Sequence, residues 1–216
     1  NLYGTDNIHG LYIDDERLYV GTFYNGLFDL NINTKSVTSH FPRMTDNSKR
    51  GTFVDAVIKL SAGGILIGTS KGAYLLKDKR ITPYPVLPNQ NHYISLFESS
   101  DKILWAGSIS DGLFKYDQRN NNLENFKYQN DGKSNSISNN NINSFYEDQN
   151  KNIWVCTEDG LNLYNPVNNT FKTFDTKDGF FSPICYSLVE YPKNSYWLTT
   201  NNGLYNFSLN INRELV

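Results

Sequence analysis

Five glycines, each followed by a small or aliphatic residue, recur along the chain: Gly26-Leu27, Gly72-Ala73, Gly112-Leu113, Gly160-Leu161 and Gly203-Leu204, at intervals of 46, 40, 48 and 43 residues. Four residues past each glycine stands Leu30, Leu76, Tyr116, Tyr164 or Phe207. Before each glycine lies an apolar triplet: Leu18-Tyr19-Val20, Ile65-Leu66-Ile67, Leu104-Trp105-Ala106, Ile153-Trp154-Val155 and Tyr196-Trp197-Leu198. A compact residue follows each triplet: Gly21, Gly68, Gly107, Cys156 or Thr199. A further column runs upstream through Gly10-Leu11, Ala56-Val57, Ser95-Leu96, Ser144-Phe145 and Ser187-Leu188. Self-similarity at a fixed period is the mark of a repeat architecture.

Each repeat reads as four short strands. In the fourth, strands are expected over Ile142 to Glu147, Ile153 to Thr157, Leu161 to Tyr164 and Thr170 to Phe174, separated by turns rich in Asn, Asp and Gly. Val, Ile, Tyr, Phe and Thr fill the strands, and no stretch holds a helical period over ten residues. The second strands are apolar on consecutive residues, which requires both faces to be covered. A small antiparallel sheet, covered on both faces by copies of itself at this period, predicts an all-β fold, a β-propeller of four-stranded blades. The repeats run approximately over 8–41, 53–84, 92–128, 142–174 and 184–216, so residues 1–216 read as one propeller segment of about five blades.

Composition excludes several classes. Twenty Lys and Arg against 22 Asp and Glu give a formal net charge of -2, without the basic excess of a nucleic-acid binder. The 15 Tyr, 13 Phe and 3 Trp are too much aromatic surface for a disordered chain. Two Cys and three His disfavour a structural zinc site, and no cofactor is expected. No apolar run approaches a membrane span.

Residues 134–174 carry a motif: Ser134-Asn135-Ser136-Ile137-Ser138, then Ile142-Asn143-Ser144-Phe145-Tyr146-Glu147-Asp148, Ile153-Trp154-Val155-Cys156-Thr157 and Gly160-Leu161-Asn162-Leu163-Tyr164-Asn165-Pro166. It closely resembles the two-component regulator propeller repeat, and the resemblance extends over all five repeats, roughly residues 8–209. Leu66 stands where that repeat usually has Trp, and Cys156 and Thr199 where it usually has Gly. The resemblance implies the periplasmic sensor half of a hybrid two-component system, chiefly of gut Bacteroidetes. It implies an oligosaccharide or polysaccharide ligand, with the signal passed through a membrane to a histidine kinase; a homodimer belongs to the full-length protein. Kinase, membrane helix and DNA-binding domain are not within these residues. Family members have seven blades, so the chain is expected to be a fragment of a larger sensor. The alternative is a five-bladed ring that Leu2-Tyr3 completes.

In a propeller the loops joining second to third strands share one face with the blade linkers, and loops on a rigid scaffold carry binding residues. The candidate ligand face is therefore Tyr24, Lys71, Asp111, Asp159 and Asn202 from the loops, with His9, Asp55, Asn143 and Tyr186 from the inner-strand column. Amides, carboxylates and aromatic faces suit sugar hydroxyls and pyranose rings. The plainer expectation is that Asn and Asp build turns and the aromatics pack. Arg43, Lys49 and Arg50 in the first linker offer charge for an acidic sugar. His9 and His92 are acid-base types with no second group tied to them by a motif. Asp148, Asn150, Asn152 and Asp159 mimic a calcium loop but lack its central Gly and closing Glu. Trp105, Trp154 and Trp197 repeat in register and are expected in the core. Besides the sensor, two readings remain: a protein-interaction scaffold, and a propeller lyase or glycosidase in which Asp55 and Glu158 are the acids to examine first.

Overall fold

The computed structural model describes residues 7–40, 53–130, 135–180 and 182–210. Arg43, Lys49, Arg50, Phe181 and Leu2-Tyr3 lie outside the described residues, as do residues 211–216 at the end of the fifth repeat.

The chain divides into two compact units, residues 1–98 and 99–216. The first holds β1 (Ile8–Asp14), β2 (Arg17–Thr22), β3 (Leu27–Asn31) and β4 (Val37–Ser39) as one antiparallel sheet in sequence order. A second sheet follows in the same order: β5 (Val54–Lys59), β6 (Ile65–Thr69), β7 (Gly72–Lys77) and β8 (Arg80–Pro83). The unit ends with β9 (Tyr93–Glu98), the first strand of the third repeat. The second unit continues that repeat with β10 (Ile103–Ser108), β11 (Leu113–Asp117) and β12 (Asn122–Phe126). It then builds β13 (Ile142–Glu147), β14 (Ile153–Thr157), β15 (Gly160–Asn165) and β16 (Thr170–Phe174), and a three-stranded sheet of β17 (Cys185–Glu190), β18 (Tyr196–Thr200) and β19 (Gly203–Phe207). The one helical element among the described residues is a 3-10 turn at Thr176–Asp178.

These are propeller blades. Inner strand packs on inner strand from repeat to repeat, β1 on β5 and β5 on β9 in the first unit and β13 on β17 in the second, where β10, the second strand of the third repeat, also packs on β13. The expected two-sided burial holds for β6, β10 and β14, which are buried at every residue. It fails for β18, which alternates buried and exposed. Trp105 and Trp154 are core residues, but Trp197 is 38% exposed, contrary to the expectation from register. Tyr196 and Leu198 face the fourth blade's cluster, and Trp197 points the opposite way, where no described residue covers it as the fifth sheet covers Trp154. The first blade shows the mirror situation, with Ile8, Leu11 and Ile13 of β1 exposed.

Successive blades are also clasped by carboxylates. Glu98 accepts from the Ser61 N–H at 2.7 Å, Glu147 from Ser100 at 2.8 Å and Glu190 from Gln149 at 2.7 Å. In each case the acid ending an inner strand ties down the first turn of the preceding repeat.

Candidate functional site

The loops between second and third strands are built by a column that sequence reading missed. One residue after the compact position stands a hydroxyl in every repeat: Thr22, Thr69, Ser108, Thr157 and Thr200. Each donates to the carbonyl of the loop glycine, over 3.0, 2.7, 2.9, 2.8 and 3.1 Å. Each also accepts a backbone N–H from within the loop, those of Asn25, Lys71, Asp111, Asp159 and Asn202. The hydroxyl replaces water for both groups and fixes the loop backbone. Four of the five loop candidates stand at this donor position. In the first loop the equivalent residue is Asn25, and Tyr24 precedes it.

The inner-strand column has its own backbone device. The ladders shift register between Ile8 and Gly10, Val54 and Ala56, Ile142 and Ser144, and Cys185 and Ser187. The residues left unpaired are His9, Asp55, Asn143 and Tyr186, which are the four predicted column residues. A bulge re-aims its extra side chain.

In the first unit the bulges bring chemistry together. Asp55 accepts from His9 Nδ1 through Oδ1 and from His92 Nε2 through Oδ2, both at 2.6 Å. The carboxylate side chain is 10% exposed, those of His9 and His92 34% and 26%. Burial pushes the Asp55 carboxyl up, but the two imidazole hydrogen bonds and charges outweigh it and hold the group below its ordinary value. Phe23 and Phe53 stack at 3.9 Å between centroids and 8° between planes. Tyr24 meets Phe23 edge-on at 4.7 Å, His9 tilts against Phe23 at 5.1 Å, and His92 flanks Phe53 at 6.3 Å. Tyr24 is exposed, as is Lys71 of the next loop. His92 was singled out with His9 in the sequence, whereas Phe53 was not; the two occupy the same position of consecutive repeats, two residues before the bulge or its equivalent.

In the second unit the candidates are more engaged by the scaffold. Asp111 pairs with Lys127 at 3.2 Å, and Asn143 donates to the Cys185 carbonyl at 2.8 Å. Asn141 of the preceding linker accepts from the Ser110 N–H at 2.8 Å, and Asn140 from Tyr128 at 2.8 Å. Tyr186 is 48% exposed, and Asp159 and Asn202 are exposed. The nine candidates thus form two groups, His9, Tyr24, Asp55 and Lys71 in one unit and the other five in the other.

The calcium-like segment serves a different purpose. Asp148 is buried, and its oxygens accept from the backbone N–H groups of Asn150 and Asn152, the Asn152 amide, the Trp154 indole and the Tyr196 hydroxyl. It is a hub for the turn and for the seam with the fifth blade. A cavity of about 1030 Å³ in the first unit, lined by Arg17, Asp29, His40 and Lys59 among others, lies at the opposite strand ends from the candidate loops.

Residues 136–159 match the family model described as two component regulator propeller. A histidine kinase of Formosa agariphila is 29% identical over 187 residues, covering 86% of this chain and 11% of that protein. The extracellular domain assigned to a one component system of B. thetaiotaomicron superposes with a TM-score of 0.73 at 19% identity, covering 93% of this chain and 27% of that one. The extracellular domain assigned to a hybrid two component system of the same organism gives 0.73 at 22% identity, covering 97% and 28%. Streptogramin B lyase shares the fold at a TM-score of 0.69 and 13% identity, covering all of this chain and 70% of that one. The chain spans about a tenth of the curated relative and about a quarter of the two extracellular domains. Among the described residues no helix is long and apolar enough to cross a membrane. Residues 136–159 carry the two component regulator propeller repeat.

Proposed function

We propose that this chain is the ligand-sensing propeller segment of an extracytoplasmic sensor coupled to a histidine kinase, and that its ligand is an oligosaccharide or polysaccharide. The observation that carries the reading is the Asp55 pair of imidazoles set against the Phe23–Phe53 stack and Tyr24. Aromatic faces supply the apolar contact a pyranose ring needs. Imidazole nitrogens and the Tyr24 hydroxyl exchange hydrogen bonds with vicinal hydroxyls, and Lys71 adds donors. The pieces are held before any ligand arrives, by the bulges and by the hydroxyl column, so little ordering remains to oppose binding. Asp55 has both oxygens committed to imidazoles, which suits orientation and disfavours its service as one of two glycosidase carboxylates.

The test is calorimetry of the intact sensor against a panel of glycans. Tyr24→Ala and Lys71→Ala are expected to weaken binding several-fold each, with Asp15→Ala at the opposite strand ends unchanged. Binding that survives both loop changes and fails with Asp15→Ala overturns the placement; no binding to any glycan of the panel overturns the ligand class.

A further inference from the structure

In the first two blades the compact residue after the triplet faces the first residue of the next inner strand. In the first blade this is Gly21 against Val54: a Cβ built on Gly21 would stand 2.7 Å from Val54 Cγ1 and 3.2 Å from Val54 Cβ. In the second, a Cβ on Gly68 would stand 2.7 Å from the Tyr93 carbonyl oxygen. Val54 opens β5 and Tyr93 opens β9. At the seam between the fourth and fifth blades the same two positions are Cys156, in β14, and Cys185, which opens β17. Both are free thiols in the structure, 1% and 0% exposed, in one core cluster with Trp154, Leu188 and Leu198. Strand β14 packs on β17.

We propose that Cys156 and Cys185 form an intramolecular disulfide that staples the fourth blade to the fifth. Disulfides need Cβ atoms roughly 3.5–4.5 Å apart, and at the equivalent seam of the first blade a Cβ on Gly21 comes to 3.2 Å from Val54 Cβ, an approach close enough for such a bond. The two thiols give up two protons and two electrons to a disulfide oxidant R–S–S–R, such as oxidised glutathione. One sulfur–sulfur bond forms, the oxidant's breaks, and two R–SH leave. Burial pushes both thiols up to about 12, so the attacking thiolate is scarce once the seam has shut. The bond therefore closes while the fifth blade docks, before burial is complete. The proposal rests on the extracytoplasmic reading only for where the bond persists, since such compartments are oxidising.

The full chain is refolded in an oxidising or a reducing glutathione buffer, its remaining thiols are alkylated under denaturation, and it is mapped with trypsin without reduction. The oxidised sample should yield peptide 152–172 linked to 178–193, and melt about 6–12 °C above the reduced one. Cys156→Ala should abolish both the link and the difference between buffers; the alkylation readout on the unsubstituted chain stands even if that variant fails to fold. Two alkylated cysteines after oxidative refolding, or a linked chain that melts below the reduced one, overturns the staple. A linked chain that binds no glycan leaves the staple intact and counts against the sensing proposal alone.

Discussion

Tyr196 donates its hydroxyl to Asp148 over 2.9 Å, from the second strand of the fifth blade to the first turn of the fourth. The same oxygen takes the Trp154 indole at 3.0 Å. One buried carboxylate therefore closes a turn, satisfies a core tryptophan and joins two blades, and that carboxylate raises the Tyr196 hydroxyl further above its ordinary value, after burial as the larger cause. Tyr196→Phe removes one bond and is expected to cost about 1–1.5 kcal/mol. Asp148→Ala strands several buried donors at once and is expected to cost about 3–5 kcal/mol. Denaturant melts of the two variants check the ranking, and equal costs would show that the tyrosine alone holds the seam.

Trp154 has no exposed surface and packs against Phe174, Tyr196 and Phe207. Trp154→Ala should lose about 3–5 kcal/mol, the range for large-to-small core changes. Trp197→Ala, at the same register but 38% exposed, should lose clearly less. The pair tests whether burial, rather than the repeat position, sets the cost.

The backbone of the repeat was legible because its period, its triplets and its glycines are local in sequence. The bulged column was legible too, since His9, Asp55, Asn143 and Tyr186 fall at one register. What joins across blades was not. His92 meets Asp55 from 37 residues away and Glu190 meets Gln149 from 41, and neither link leaves a pattern inside one repeat. The hydroxyl column is legible in principle, because Thr22, Thr69, Ser108, Thr157 and Thr200 align one residue past the compact position. Motif residues such as Ser138 and Asn162 prove to serve the scaffold: Asn162 is buried and bonds Ser138 and Thr173, and Ser138 bonds Thr157 at 2.8 Å. Of the candidate residues, Asn143 and Asp159 fall within the motif stretch, whereas His9, Tyr24, Asp55 and Lys71 lie outside it.

Two loop glycines should respond differently to a methyl group. Gly112 has φ of +79° and a Cβ there would stand 2.2 Å from the Phe126 carbonyl oxygen; Gly203 has φ of +116° with nothing within 4 Å. Both alanine variants carry backbone strain, but Gly112→Ala adds a clash with main chain and should cost about 1–3 kcal/mol more. Matched urea melts decide it, and a harmless Gly112→Ala would mean the outer strand yields easily.

Asp55 links the site to pH. Its carboxyl is held below the ordinary aspartate value when folded, because the two imidazole bonds outweigh burial. The unfolded chain then binds the proton more readily than the folded one. The contribution is fully present above the unfolded value, near 4, and is lost as pH falls through the folded value. Asp55→Asn should therefore cost about 1–2 kcal/mol at pH 7, where the carboxylate bonds are intact. The cost should shrink as the pH is lowered below 4, because the unsubstituted protein loses the same interaction by protonation. Melts of both proteins at pH 7, 5 and 3 give the comparison. A cost independent of pH would assign Asp55 a packing role only. The pairing would then be no support for a site in which His9 and His92 are held ready for a ligand.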